Sequence, residues 1–141
     1  MAEMSRDLIE TGLDWRYTPR RIAALIADPE TIALVARDDA RIQGLAIMQF
    51  GDEAAHLTLL CVQPTLRERG LGRCLVEWLV ASARVAGIGS IRCELRADNV
   101  TALAFYRRLG FTETALVAAY YGGRIDARRM VLPLRQPAAA P

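Results

Sequence analysis

Residues 67–72 read RERGLG, three charges and two glycines between the apolar run LTLLCVQP and a long amphipathic stretch. Small residues at such a junction serve as a cradle of backbone amides for a phosphate, as a bare turn, or as part of a dinucleotide fingerprint. The fingerprint fails: a glycine or alanine should stand three positions beyond Gly72, and Leu75 is neither. A turn is the plain reading. In the phosphate reading, consecutive N–H groups at a helix start form a concave donor site, and the helix dipole favours an anion there. Arg67, Arg69 and Arg73 stand near enough in the chain to add charge-assisted bonds.

Other chemistries fall away by residue type. All 18 basic residues are arginine, so a phosphate-loop lysine, a Schiff base and a serine–lysine pair are excluded. Arg20-Arg21, Arg107-Arg108 and Arg128-Arg129 lie scattered among acids, and the net charge is only +2. A nucleic-acid binder would show a basic stripe, so none is expected as partner. Cys61, Cys74 and Cys93 are far apart, and His56 is the single histidine, so no metal site is expected. All three cysteines read as buried small hydrophobes. A serine hydrolase would need His56 with a G-x-S-x-G elbow, and GIGSI at 87–91 misplaces the serine.

The elements that must position these residues are well punctuated. MSRDLIETGL reads as a short helix closed by Gly12. TPRRIAALIADP reads as a second, with Thr18 as cap, Pro19 at its first position and Pro29 beyond its end. TIALVAR and RIQGLAIMQF form a hairpin through Asp38, Asp39 and Ala40, and HLTLLCV is apolar enough for a strand buried on both faces. From Leu71 to Val85, Leu71, Cys74, Leu75, Trp78, Leu79, Ser82 and Val85 recur at helical spacing, and Gly87 ends that helix. IRCELR alternates strictly as a strand does. DNVTALAFYRRLG is a helix capped by Asp98 or Asn99 and stopped by Gly110, and FTETALVA and RRMVLPL are strands around YYGGRIDA. The order predicts a mixed α/β domain around one sheet.

At 141 residues the chain is expected to be one domain over 1–134, with RQPAAAP at 135–141 a disordered tail. No apolar run reaches the roughly 18 residues that span a bilayer, and the N-terminal residues lack a signal-peptide pattern. A cytoplasmic protein without membrane contact is therefore expected.

Two motifs carry a family resemblance. Q-P-x-x-R-x-x-G-x-G lies between a strand and a helix. N-x-x-A-x-x-F-Y-x-x-x-G-F follows about thirty residues later, through Asn99, Ala102, Phe105, Tyr106, Gly110 and Phe111. Together they resemble the acyl-CoA-binding core of the GNAT (Gcn5-related) N-acetyltransferases, closely over 57–111. The resemblance implies a mostly antiparallel central sheet with helices on both faces, and acetyl-CoA as co-substrate. It implies that Arg67, Glu68, Arg69, Gly70, Leu71, Gly72 and Arg73 hold the pyrophosphate. The main chain of Leu60, Cys61 and Val62 would pair with the pantetheine arm beside splayed strands, and an amide near Val62 would stabilise the oxyanion. Asn99 and Tyr106 would complete the coenzyme site. Family domains usually open with a strand before the first helix; here that strand is expected to be missing, supplied from elsewhere or lost to a late start codon.

CELRADNVTALAFYRRLGF followed by YY is similar, within the family, to the bacterial ribosomal-protein N-terminal acetyltransferases. There a glutamate on this strand is base and a tyrosine twelve positions on is acid; Glu94 and Tyr106 match. The chemistry asks for such groups independently. An amine attacks a thioester only when neutral, and the departing thiolate needs a proton. Neutralising an α-amine at pH 7 costs about 1 kcal/mol, against about 4 to 5 for a lysine amine. A carboxylate acting through water suits the former. Tyr106 would act mainly by hydrogen bonding to the sulfur.

Each residue also has a plainer reading. Glu94 alternates with Arg92 and Arg96 and can simply pair with them; Tyr106 can be a packing aromatic, as Phe105 beside it should be; Asn99 can be only a helix cap. His56 and Glu53 can line the acceptor site or sit at an ordinary strand end. Tyr120 and Tyr121 can hold a peptide N-terminus or cover a hairpin. The expected function is acetyl transfer to a primary amine, a peptide N-terminus or a small molecule such as an antibiotic, polyamine or amino acid. The alternative is a coenzyme-binding regulatory module. A homodimer through RRMVLPL is compatible with the pattern.

Overall fold

A computed structural model of the chain describes residues 1–135 other than Thr11, Asp14 and Glu68. The fold is mixed α/β. Its strands are β1 (Thr31–Asp38), β2 (Arg41–Phe50), β3 (Ala54–Val62), β4 (Ser90–Arg96), β5 (Thr112–Tyr121) and β6 (Ile125–Pro133). They order β1-β2-β3-β4-β6-β5; β1 with β2, β4 with β6 and β5 with β6 pair antiparallel, and β3 with β4 runs parallel. The helices are α1 (Ala2–Met4), α2 (Pro19–Ala27), α3 (Leu71–Val85) and α4 (Val100–Arg108). Among the described residues no strand precedes β1. The chain divides into two units: residues 1–50 with 57–79, and residues 51–56 with those from Val80 onward.

In the first unit, β1 and β2 pair from Thr31↔Gln49 to Asp38↔Arg41, and Asp39 turns the hairpin at φ 50°. Leu45, Ala46, Ile47 and Met48 are successive and fully buried, so this strand is covered on both faces. Leu45, Ile47, Leu59 and Cys61 form a core with Ala2 and Ile22, against which Leu8, Trp15 and Leu25 pack. Thr18 caps α2 through its Oγ1, which accepts the Arg21 amide at 3.4 Å. The predicted first helix winds differently: after α1 the turns of Ser5–Ile9 are π-helical, closed by the Glu10 amide on the Ser5 carbonyl at 2.8 Å. Buried Glu10 explains the local geometry. Its carboxylate accepts Ser5 Oγ at 2.9 Å and the Arg16 amide at 2.7 Å, which ties Arg16 to the helix end.

In the second unit, β4 pairs with β6 from Ser90↔Pro133 to Arg96↔Ala127, and β6 pairs with β5. Ile91, Cys93 and Leu95 alternate into its core with Ala127, Met130 and Phe111. Near its end β5 breaks register between Val117 and Tyr121, where Ala119 takes φ 53° and donates its amide to Asp126 Oδ1 at 2.9 Å. Such a bulge re-aims the side chains that follow it, here Tyr120 and Tyr121.

Three expectations need correction. β3 is not buried on both faces: Ala55, Leu57, Leu59 and Cys61 are buried, and the residues between them are half-buried. The α3 stripe has the right period but the wrong centre. Leu75, Val76, Leu79 and Ala83 are buried, whereas Cys74, Trp78 and Val85 face outward. The seven positions of that stripe, six apolar and Ser82, span too much of the circumference for all of them to be covered. Cys74 is therefore exposed, and only Cys61 and Cys93 behave as buried hydrophobes.

The start of α3 rests on a missing side chain. A Cβ on Gly44 of β2 would lie 3.1 Å from Leu75 Cδ1, 3.2 Å from the Cys61 carbonyl oxygen and 3.3 Å from Leu71 Cδ2. Gly44→Val should therefore cost about 1–3 kcal/mol by overpacking, read as a lower urea midpoint at unchanged m-value.

Candidate active site

The first unit carries the expected coenzyme residues. β3 ends at Val62, a short 3₁₀ turn covers Pro64–Leu66, and the chain enters α3 through Gly70. Gly70 adopts φ +82°, a left-handed conformation open to glycine at little cost, and nothing lies within 4 Å of where its Cβ would be. Leu71, Gly72 and Arg73 form the first turn of α3, where helix geometry supplies no intrahelical carbonyl for the amides. The Cys74 amide then reaches the Gly70 carbonyl at 3.0 Å.

The arginines here are engaged locally. Arg67 donates Nε to the Val62 carbonyl at 3.3 Å, and Arg73 pairs with Glu77 at 2.8 Å across one helical turn. Arg69 is exposed, and Glu68 lies outside the described residues. Leu60 and Val62 are half-buried and flank Cys61, whose sulfur points to the Met4 carbonyl at 3.9 Å. Burial pushes the Cys61 thiol up to about 11 and the Cys93 thiol up to about 12. Neither is a thiolate nucleophile at neutral pH.

The second unit builds a polar cluster around Glu94. β4 places Glu94 on the face opposite Ile91, Cys93 and Leu95, and the antiparallel register sets Arg129 of β6 directly across from it. Arg129 donates Nε to Glu94 Oε1 at 3.1 Å. The parallel register places His56↔Arg92, and His56 Nε2 meets Glu94 Oε2 at 2.5 Å. Hydrogen bonding to His56 holds the Glu94 carboxyl below its ordinary range, Arg129 adds to the shift, and partial burial opposes it. Glu94 is thus ionised at neutral pH. Its ion-pair partner is Arg129 rather than Arg92 or Arg96; Arg96 instead meets Asp98 at 3.5 Å.

Tyr106 belongs to the same unit. α4 begins at Asn99, whose Oδ1 accepts the Ala102 amide at 3.0 Å, so the cap reading of Asn99 is realised. Tyr106 stacks edge-on between Phe105 and Phe111, each at 5.2 Å between ring centroids. It is more deeply buried than Phe105, the reverse of the expectation that Phe105 is the core aromatic. Burial raises its phenol well above 10, and proximity to Cys93 and Tyr121 acts in the same direction. The hydroxyl therefore stays a proton-bearing donor.

Of the expected acceptor residues, His56 joins Glu94 and Glu53 does not. Glu53 Oε2 pairs with Arg135 Nη1 at 3.2 Å on an exposed surface. Tyr120 and Tyr121 stack edge-on at 4.9 Å beyond the β5 bulge. Arg129 was missed because its place opposite Glu94 depends on a register between distant segments. Among the described residues no group of side chains is arranged to hold a metal ion, and no helix is long and apolar enough to cross a membrane.

This arrangement can be set beside known proteins. A ribosomal protein bS18-alanine N-acetyltransferase of Salmonella typhimurium is 37% identical over 99 residues, covering 68% of this chain and 67% of that protein. The crystal structure of the ribosomal-protein-S18-alanine N-acetyltransferase from Escherichia coli superposes with a TM-score of 0.78 at 29% identity, over 92% of this chain and 86% of that one. The structure of YncA from Salmonella typhimurium with its cofactor acetyl-CoA gives 0.64 at 25% identity, over 77% of this chain and 68% of that one. The model of the acetyltransferase (GNAT) domain matches residues 29–113, which run from the first strand of the sheet through the Gly70 helix start, Glu94 and Tyr106. By that match and by the relatives' identity, the chain belongs to the GNAT family of N-acetyltransferases.

Proposed function

We propose that the chain moves an acetyl group from acetyl-CoA directly to a primary amine, and that its acceptor is the N-terminal α-amine of a protein. The observation that carries this reading is the start of α3. A left-handed Gly70 with open space at its Cβ position leads into first-turn amides that lack intrahelical partners. A pyrophosphate fits such a donor set in charge and in access. Family membership says which coenzyme carries that pyrophosphate, and the acetyltransferases among the relatives support it.

The residues would divide the work as follows. The amides of Gly70–Arg73 hold the pyrophosphate, with Arg69 adding charge, and Arg67 releases the Val62 carbonyl as the pantetheine arm arrives. The main chain of Leu60, Cys61 and Val62 orients that arm. With Cys61 and Cys93 held protonated, no acyl-cysteine intermediate is called for, and the amine attacks the thioester itself. The cluster at Glu94 handles the amine's proton, and the Tyr106 hydroxyl meets the sulfur as the C–S bond breaks. The α-amine reading rests on the relatives that acetylate the alanine of a ribosomal protein, and on the modest cost of neutralising such an amine near pH 7.

Two measurements test this. Acetyl-CoA at about 100 times its Kd should stabilise the chain by about 2.7 kcal/mol, read as a raised melting temperature. A panel of free peptides, blocked peptides and small amines should then release thiol from acetyl-CoA with free peptide N-termini. Preference for a small amine would reassign the acceptor; an unmoved melting temperature would remove the coenzyme.

A further inference from the structure

We infer that α3 is a contact surface for a second copy of this chain, the two helices docking antiparallel along a stripe of Cys74, Trp78, Ala81 and Val85. The inference concerns assembly and is independent of acetyl transfer.

The stripe is what the helix leaves uncovered. Leu75, Val76, Leu79 and Ala83 turn inward, while Cys74, Trp78, Ala81 and Val85 are exposed, Trp78 by 52% and Val85 by 91%. These four recur at intervals of four, three and four residues, so at helical pitch they fall within about 60° of one another. That is the spacing of a coiled-coil seam, not of scattered surface residues. All four stand on one helix, so the seam needs no other element to complete it.

Pairing the stripe with itself fixes both orientation and occupant. Run antiparallel about a two-fold axis, Trp78 of each copy lies against Ala81 of the other, and Cys74 against Val85. Large meets small at the centre, as interdigitated packing asks of facing positions. The same alignment brings Glu77, which flanks the stripe, next to Arg84 of the other copy, twice by symmetry. Parallel helices would instead set Trp78 on Trp78 and Glu77 beside Ser82, with no opposite charge to meet it. Glu77 and Arg84 are both exposed. Within one copy Glu77 pairs with Arg73 at 2.8 Å, and Arg84 donates Nη1 to the Leu134 carbonyl at 2.9 Å. The second carboxylate oxygen and the other guanidinium N–H groups can serve the partner. A stripe whose reversal returns matching sizes and opposite charges fits a second copy; a face made for an unrelated protein needs no such symmetry. β6, which carries RRMVLPL, is paired on both sides by β4 and β5, so a second copy cannot add to it edge to edge.

The test is sedimentation equilibrium of the full chain over a range of concentrations, with the dimer expected as the main species by about 1 mM. Trp78→Glu should weaken association by at least about tenfold, with its melting temperature as monomer checked alongside. Glu77→Arg and Arg84→Glu should each weaken it by about threefold or more, and the two together should return it to within about twofold of the parent. Positions 77 and 84 stand two turns apart in one copy and cannot restore each other there, so recovery can come only across the seam. Val85→Cys should form a covalent dimer with the partner's Cys74 under oxidised glutathione, and adding Cys74→Ser should abolish it. A chain that stays monomeric throughout, whose stripe another protein would have to cover, overturns the inference. So does a dimer that Trp78→Glu leaves intact, a double charge exchange no better than the single ones, or a cross-link that survives Cys74→Ser.

Discussion

Glu94→Gln is expected to lower kcat/KM for amine acetylation by about a hundredfold or more while leaving acetyl-CoA binding nearly unchanged. The glutamine has the shape to fill the site between His56 and Arg129 but not the charge that fixes the ring and pairs with the guanidinium. The loss should therefore appear in turnover with acceptor rather than in coenzyme-induced stabilisation. The same variant should change the acid limb of the stability curve. Glu94's carboxyl is lowered from 4.5 in the fold, so between the folded and unfolded values the unfolded chain binds more protons. The Glu94 contribution is fully present above the unfolded value and is lost as pH falls through the folded one. Urea midpoints measured downward from pH 6 should fall less steeply for Glu94→Gln than for the parent. Equal slopes would mean that Glu94 is not held as its contacts imply.

Tyr106→Phe should slow thiol release by at least about tenfold, again with acetyl-CoA affinity retained. The substitution removes one hydroxyl from an aromatic stack that Phe105 and Phe111 otherwise hold in place, so the fold should lose no more than about 1 kcal/mol. Because burial raises the Tyr106 phenol well above 10, the hydroxyl bears its proton through the working pH range. The parent should thus show no rate loss from tyrosine ionisation up to about pH 9. A variant as fast as the parent would leave Tyr106 as the packing aromatic that its burial already makes it.

Much of this site was legible in the sequence because its signals are local. Gly70 at the helix start, Thr18 and Asn99 as caps, and Gly110 after α4 each act through backbone geometry within a few residues, and each stands where the pattern put it. The alternation of Ile91, Cys93 and Leu95 likewise assigned Glu94 to the other face of β4. What stayed hidden depends on contacts distant in sequence. Arg129 reaches Glu94 only through the β4–β6 register, and His56 joins them only through the short parallel register of β3 with β4. The π-helical turns at Ser5–Ile9 follow from a buried Glu10 satisfying amides beyond Asp14, which no helical periodicity announces. The outward turn of Cys74 and Trp78 was hidden for another reason: hydrophobic spacing gives the period of α3 but not which part of a broad stripe is covered.

The central claim is that this chain joins an acetyl group to an amine nitrogen. Its most direct test is thiol release from acetyl-CoA in the presence of a peptide beginning with alanine, with the peptide's mass followed alongside. Release matched one for one by acetylated peptide, and absent when the same peptide carries a blocked N-terminus, is the predicted result. Release no faster than acetyl-CoA hydrolysis alone, for that peptide and for every other free amine supplied, would contradict it.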